Sequence, residues 1–256
     1  MNKQGDYDRI GRSYSLNRRA DRRIAQQILD ALADAATVVN VGAGTGSYEP
    51  RHLAVAAVEP SIEMIAQRPA AAAPVVRAIA EQLPFADHSF DASLAVLTIH
   101  HWRDLPLGLA EMRRVARRRV VILTWDIAAG ASFWLTAHYF PEITVFDSTR
   151  FGPIAELADA LGRAKVIPVP VPRYCQDGFL AAFWARPEEY LDPCRRAAMS
   201  GFAQISREAI ESGLSRLARD LRAGAWDRRF GELRTRESVD VGYRLLIPDV
   251  TTHTIR

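Results

Sequence analysis

At 256 residues with 48% hydrophobic content, the chain is long enough to bury a sizeable core within one large domain. Its 33 basic residues exceed its 30 acidic ones by only a formal +3, and all but Lys3 and Lys165 of the basic set are arginine, a compositional bias rather than the mark of a nucleic-acid surface. No apolar run is long enough to span a bilayer, the first residues hold no signal-peptide core, and Cys175 and Cys194 match no metal spacing. A cytoplasmic protein without membrane, nucleic-acid or metal partners is therefore expected.

Residues 7–19, YDRIGRSYSLNRR, form a polar, arginine-rich arm. From residue 21 to 33 the four-residue spacing of Ile24, Ile28 and Leu32 predicts a helix with one face turned to a sheet. Residues 37–60, TVVNVGAGTGSYEPRHLAVAAVEP, then set a β-branched strand, a glycine-rich turn and a second apolar strand in succession. Glu59 ends the second strand, at the carboxyl end where open parallel sheets bind ligands. A carboxylate there can accept hydrogen bonds from both hydroxyls of a ribose.

The glycines at 42, 44 and 46 depart from the dinucleotide fingerprint G-x-G-x-x-G, because Ser47 stands where its third glycine belongs. G-x-G-x-G with an acidic second strand resembles motif I and the acidic position after it in class I S-adenosylmethionine-dependent methyltransferases. The resemblance is to the small-molecule type that includes ubiquinone and menaquinone biosynthesis enzymes. It implies an α/β fold: a Rossmann-like, seven-stranded, mostly parallel sheet with an antiparallel last strand. It implies S-adenosyl-L-methionine as cofactor, held by Gly42, Ala43, Gly44, Gly46 and Glu59. It also makes Tyr7, Tyr14 and Arg19 lid candidates, Tyr14 and Arg19 toward the cofactor and Tyr7 toward the substrate, although a solvated arm would carry the same residues.

Past the glycine loop, Pro50 breaks the stretch before the second strand, so the family's long helix is reduced to a turn or two. Pro60 and Ser61 open a short helix in which Met64 can touch the adenine or pack in the core. Residues 74–78 read as a third strand, and the following IAEQLPF resembles the family's adenine-binding stretch. There the acidic position falls on Ile79, which cannot accept an amine, and Ala80 and Glu81 follow. The fourth strand, with Leu97 at its edge of the site, ends in Thr98, Ile99, His100, His101 and Trp102. Imidazole takes a proton near neutral pH, so His100 and His101 are candidate bases and Trp102 a pocket wall; a structural cluster is the alternative.

Asp104 caps a helix expected to run to Arg117, and a fifth strand spans residues 120–125. The aromatic run 133–140 offers Trp134 and His138 as pocket residues or as core. Residues 165–171 read as a proline-bounded strand and 241–247 as the last one. The intervening stretch carries helix signal, with Ile210, Leu214, Leu217 and Leu221 forming an apolar stripe. One domain is expected, with residues 1–34 as lid and helix, 35–171 as core, 172–238 as a helical cap insertion and 239–256 as last strand and tail. Neither an N/D-P-P-Y/F motif nor a Pro-Cys pair within the sheet is present, since Pro193 and Cys194 lie in the distal region. The expected activity is methyl transfer to a small apolar or aromatic molecule; a non-catalytic binding protein or an RNA methyltransferase are the alternatives.

Overall fold

The computed structural model describes residues 18–248. A seven-stranded sheet organises it, built from β1 (Thr37–Val41), β2 (Ala54–Val58), β3 (Val75–Val76), β4 (Phe90–Val96), β5 (Ala116–Trp125), β6 (Lys165–Pro168) and β9 (Tyr243–Ile247). Their order is β3-β2-β1-β4-β5-β9-β6. Every pairing among the first five strands is parallel, whereas β9 runs antiparallel to both β5 and β6. This is the expected Rossmann-like topology. The chain reverses strand order beside β1, which places the carboxyl ends of β1, β2 and β4 round one crevice.

Alternate residues feed two cores, one on each face of the sheet. Val38, Leu94, Val121, Leu123 and Leu245 pack on one side with Ile24, Ile28 and Leu32 of α1 (Arg22–Leu32). Val39, Val41, Val58, Ala95, Ile122 and Leu246 pack on the other with Leu109, Met112 and Val115 of α3 (Leu105–Val115). Asp21 caps α1 by accepting the Arg23 amide, and Ser61 caps α2 (Ile62–Ala66) by accepting that of Met64. The helix capped by Asp104 ends at Val115 rather than Arg117, because Ala116 is already extended and leads straight into β5.

The strand expected over 165–171 divides. Pro168 ends β6, and β7 (Val171–Pro172) leaves the sheet to pair with β8 (Ser238–Val239) in a two-stranded ribbon. Around the carboxyl end of β5 come α4 (Ile127–Gly130), α5 (Trp134–His138), α6 (Pro141–Ser148) and α7 (Ile154–Ala160). Residues 172–238 hold less regular helix than their pattern suggested, since prolines at 172, 187 and 193 keep the first half in turns. Only α8 (Pro193–Arg196), α9 (Ser200–Ala203), α10 (Arg207–Arg222) and α11 (Ala225–Phe230) form in that stretch as α-helices. Leu217 of the α10 stripe is fully buried, with Ile210, Leu214 and Leu221 half-buried around it. Among the described residues no helix is long and apolar enough to cross a membrane, and no cluster of metal-ligating side chains occurs.

Candidate active site

The glycine loop takes its shape from three left-handed residues, Gly42, Gly44 and Gly46, with φ of +70°, +53° and +85°. L side chains rarely adopt such angles. At Gly42 a side chain is also excluded by space, since a Cβ would lie 2.1 Å from Oγ1 of Thr98 in the loop after β4. A Cβ on Gly44 would meet nothing within 4 Å, because that residue faces an open cavity. Gly46 faces away from it, toward the Glu49 carboxylate, and does not line the cavity.

Glu59 is buried at the end of β2 and closes the loop on itself. One carboxylate oxygen accepts the Gly44 amide at 2.8 Å and the other the Ser61 amide at 2.9 Å. Burial pushes its pKa up, while those two amides and the charge of Arg68 act in the opposite direction. Glu59 lines the cavity, and each of its oxygens keeps acceptor capacity beyond the one amide it receives.

No helix follows the loop; residues 47–53 form turns only. Arg68 supports the loop instead, donating to the Gly44 carbonyl at 3.0 Å and pairing with Glu49 in a nearly solvent-free ion pair. Asn40, on β1, also lines the cavity, and its Oδ1 is buried without a hydrogen-bond partner among the described residues.

The cavity continues along Pro60, Met64, Ile79, Ala80 and Glu81 on one side and Leu97, His101 and Trp102 on the other. Met64 is buried at the cavity wall, and Ile79 is 37% exposed. Glu81 is engaged elsewhere: its Oε1 accepts the amides of Arg103 at 2.6 Å and Asp104 at 3.1 Å, which ties this wall to the loop after β4. Leu97 stands at φ 51°, an uncommon angle for a γ-branched residue, and its amide remains bonded to Leu123 of β5.

A second cavity lies beyond Leu97. Leu97 and Arg18 line both cavities, so the two adjoin at these side chains. Its walls are aromatic, with Trp125, Phe133, Phe146, Phe151, Phe179 and Tyr243, and its polar groups include His100, Asp147 and Arg150. Leu180, Ala181, Met199 and Gln204 bring the 172–238 stretch over it. Arg18 is fixed between the cavities by Asp177 at 2.6 Å, and Tyr48 donates to the same buried carboxylate at 3.0 Å.

The two histidines divide between these spaces. His101 faces the first cavity, and its Nδ1 lies 2.9 Å from Nη2 of Arg150. A guanidinium only donates, so neutral His101 carries its own hydrogen on Nε2. His100 faces the second cavity, its ring packed at a tilt against His101 at 3.8 Å and Phe151 at 4.5 Å between centroids. Burial, reinforced by the charge of Arg150, pushes its pKa down to about 3.

Other expected site residues lie apart. Arg19 is exposed and lines neither cavity; its neighbour Arg18 lines both. Trp134 is buried in an aromatic core against Tyr139, Tyr190 and Trp226, and its indole N–H donates to the Trp184 carbonyl. His138 stacks on Phe230 away from both cavities. Tyr7 and Tyr14 fall outside the described residues. The sequence reading missed Arg18, Asn40, Asp147 and Arg150. Asp147 and Arg150 sit among aromatics as any helix-end charges do, and no motif marked them.

Residues 39–124 match the profile of a methyltransferase domain. The chain resembles, over most of its length, the crystal structure of a putative methyltransferase from an antibiotic biosynthesis pathway of Anabaena variabilis. The two are 35% identical, with a TM-score of 0.85, over 91% of this chain and 99% of that one. The chain belongs to the class I S-adenosylmethionine-dependent methyltransferases. This methyltransferase is also 33% identical over 133 residues to malonyl-[acyl-carrier protein] O-methyltransferase of Erwinia pyrifoliae, covering 49% of this chain and 51% of that protein. It is 29% identical over 153 residues to demethylmenaquinone methyltransferase of Porphyromonas gingivalis, covering 53% of this chain and 62% of that one. The matched stretch spans less than two thirds of either curated relative.

S-adenosylmethionine is the cofactor of the methyltransferase, and the first cavity fits it. A carboxylate ends β2 beside a loop of small residues, Gly42, Ala43 and Gly44 among them, a cradle that a Cβ on Gly44 would begin to fill. The unpartnered Oδ1 of Asn40 adds a buried acceptor for a donor group.

Proposed function

We propose that this methyltransferase methylates a small, largely apolar or aromatic molecule seated in the second cavity. The observation that carries the reading is the junction of the two cavities at Leu97 and Arg18, with an aromatic-lined space on the far side. Glu59 would hold the ribose hydroxyls, the loop Gly42 to Gly44 the methionine end, and Met64, Ile79 and the Ala80 amide the adenine. When bound, S-adenosylmethionine supplies an electrophilic methyl group whose bonding electron pair stays with the sulfur.

The chain contributes placement and exclusion of water. Leu97, held in its strained conformation by the Leu123 bond, stands between donor and acceptor spaces. Arg18, anchored by Asp177, forms the adjoining part of that partition. The expectation that His100 or His101 takes the acceptor's proton is revised on this reading. His100 is too weakly basic, with its pKa near 3, and the Nδ1 of His101 is occupied by Arg150. Both rings then serve as packing and orientation.

The test is a mass-spectrometric screen in which the protein and S-adenosylmethionine meet a library of small aromatic and apolar compounds, with RNA in parallel. Gain of one methyl by a small compound is expected. Methylation of RNA alone would overturn the reading, and no methylation despite cofactor binding would favour a non-catalytic binding protein.

A further inference from the structure

We propose that Asp147 receives the proton of the methyl acceptor, and that the acceptor presents an acidic hydroxyl, phenolic or enolic, to it. The inference rests on the second cavity being the acceptor's. Asp147 closes the last turn of α6 and lines that cavity, and among the described residues no hydrogen bond to its side chain occurs. A carboxylate that faces an aromatic space with its acceptor sites unused is suited to a ligand's O–H.

The surroundings select the kind of ligand. The charged and titratable groups round the cavity are Arg150 just beyond α6, His100 from the loop after β4, Arg18 from the segment before α1 and Tyr243 from β9. His100 is neutral at ordinary pH and burial pushes the Tyr243 phenol far up, so it too stays neutral. Arg18 is matched by Asp177. Arg150, bonded to His101 and lying 5.3 Å over the Phe146 ring, is left as the cation beside Asp147. An ammonium would be repelled by it, whereas an oxyanion developing on the acceptor is favoured.

Burial pushes the Asp147 carboxyl up to about 7, against the opposing charge of Arg150. A base of that strength is matched to a phenol or enol far better than to an alkanol. In the step, the acceptor's O–H bond breaks, its electron pair remains on oxygen for the new O–C bond, and the proton becomes the carboxylic hydrogen of Asp147.

The experiment compares 1-naphthol and 2-naphthol with 1-naphthylmethylamine and cyclohexanol as acceptors, using wild type, D147N and D147E with S-adenosylmethionine. Methyl ethers of the first pair are expected, with kcat/KM rising through an apparent pKa near 7. In D147N that limb should vanish and kcat fall by about 100-fold or more, with D147E recovering part. S-adenosylhomocysteine affinity by calorimetry should stay within about twofold in both variants, a loss in wild type itself condemning the cofactor site and not this assignment. Independently, 13C carboxyl titration of the wild-type protein should show a resonance near pH 7 that D147N removes. An Asp147 carboxyl titrating near pH 4, an unchanged pH profile in D147N, or methylation of none of the hydroxyl probes would overturn the proposal.

Discussion

Arg68 and Glu49 form an ion pair in which only 5% and 4% of the two side chains remain exposed, directly beneath the glycine loop. The same guanidinium donates to the carbonyls of Gly44 and Ala73, and the same carboxylate accepts the Ala73 amide. The pair does for the loop what a following helix does in the family's usual arrangement: it fixes the backbone from behind.

Removing one partner of such a pair strands the other charge in a dry site, which costs about 3 to 5 kcal/mol. R68A should lose stability on that scale in urea unfolding. The double variant R68A/E49A should lose less than the two single losses together, because no lone charge is left. S-adenosylhomocysteine affinity should fall in R68A, because the Gly44 carbonyl loses its anchor. Equal affinity at unimpaired stability would show the loop to be held by its glycines alone.

Replacing Glu59 by Ala should weaken S-adenosylhomocysteine binding by about 1.5 to 3 kcal/mol, the range for hydrogen bonds to a charged group. Its oxygens also accept the Gly44 and Ser61 amides, so part of the loss would be a looser loop. E59Q keeps one acceptor oxygen and should fall between. Calorimetry on the three proteins decides, and unchanged affinity in E59A would remove Glu59 from the site.

The first two strands, the glycine turn and the acidic end of β2 were legible because each depends on local chemistry: apolar runs of strand length, residues that permit positive φ, and a carboxylate at a fixed offset; the seven-stranded, mostly parallel sheet followed only from the family resemblance those residues carry. The second cavity was not legible. It is assembled from Leu97, Asp147, Phe179 and Met199, which are distant in the chain, and its polar groups carry no spacing signal. Trp134 and His138 were misplaced for the opposite reason. An aromatic run is equally good as core, and Trp134 is drawn inward by an indole partner at Trp184 that only the tertiary fold supplies. The strand over 165–171 was read as one because its alternation continues through Pro168 and Pro170, although proline there turns the chain out of the sheet.

Adenine recognition at Ile79 should be indifferent to the exocyclic amine. Ile79 offers no acceptor, and Glu81 Oε1 is already shared by two amides. The analogue of S-adenosylhomocysteine lacking the 6-amino group should bind within about tenfold of the parent, as expected where no buried polar group is left unpaired. I79D should restore discrimination by favouring the amine. A wild-type penalty of several orders of magnitude would mean that another polar group reads the amine.

The last prediction concerns acid stability through His100. Its pKa lies near 3 in the folded protein and near 6.5 in the unfolded chain, so below pH 6.5 only the unfolded state takes up the proton. Stability should therefore be fully present above pH 6.5 and decline as pH falls toward 3, by about 3 kcal/mol once local relaxation at the cavity is allowed for. His100 Nδ1 is buried without a partner, and its ring packs between His101 and Phe151. H100F keeps an aromatic ring there, removes an unsatisfied polar atom and cannot titrate, so it should be neutral or stabilising at pH 7.5. Urea unfolding from pH 4.5 to 8 should show a shallower acid decline in H100F than in wild type. Parallel declines in the two proteins would mean that His100 gains its proton in the folded state as readily as in the unfolded one, and that the cavity around it opens to water.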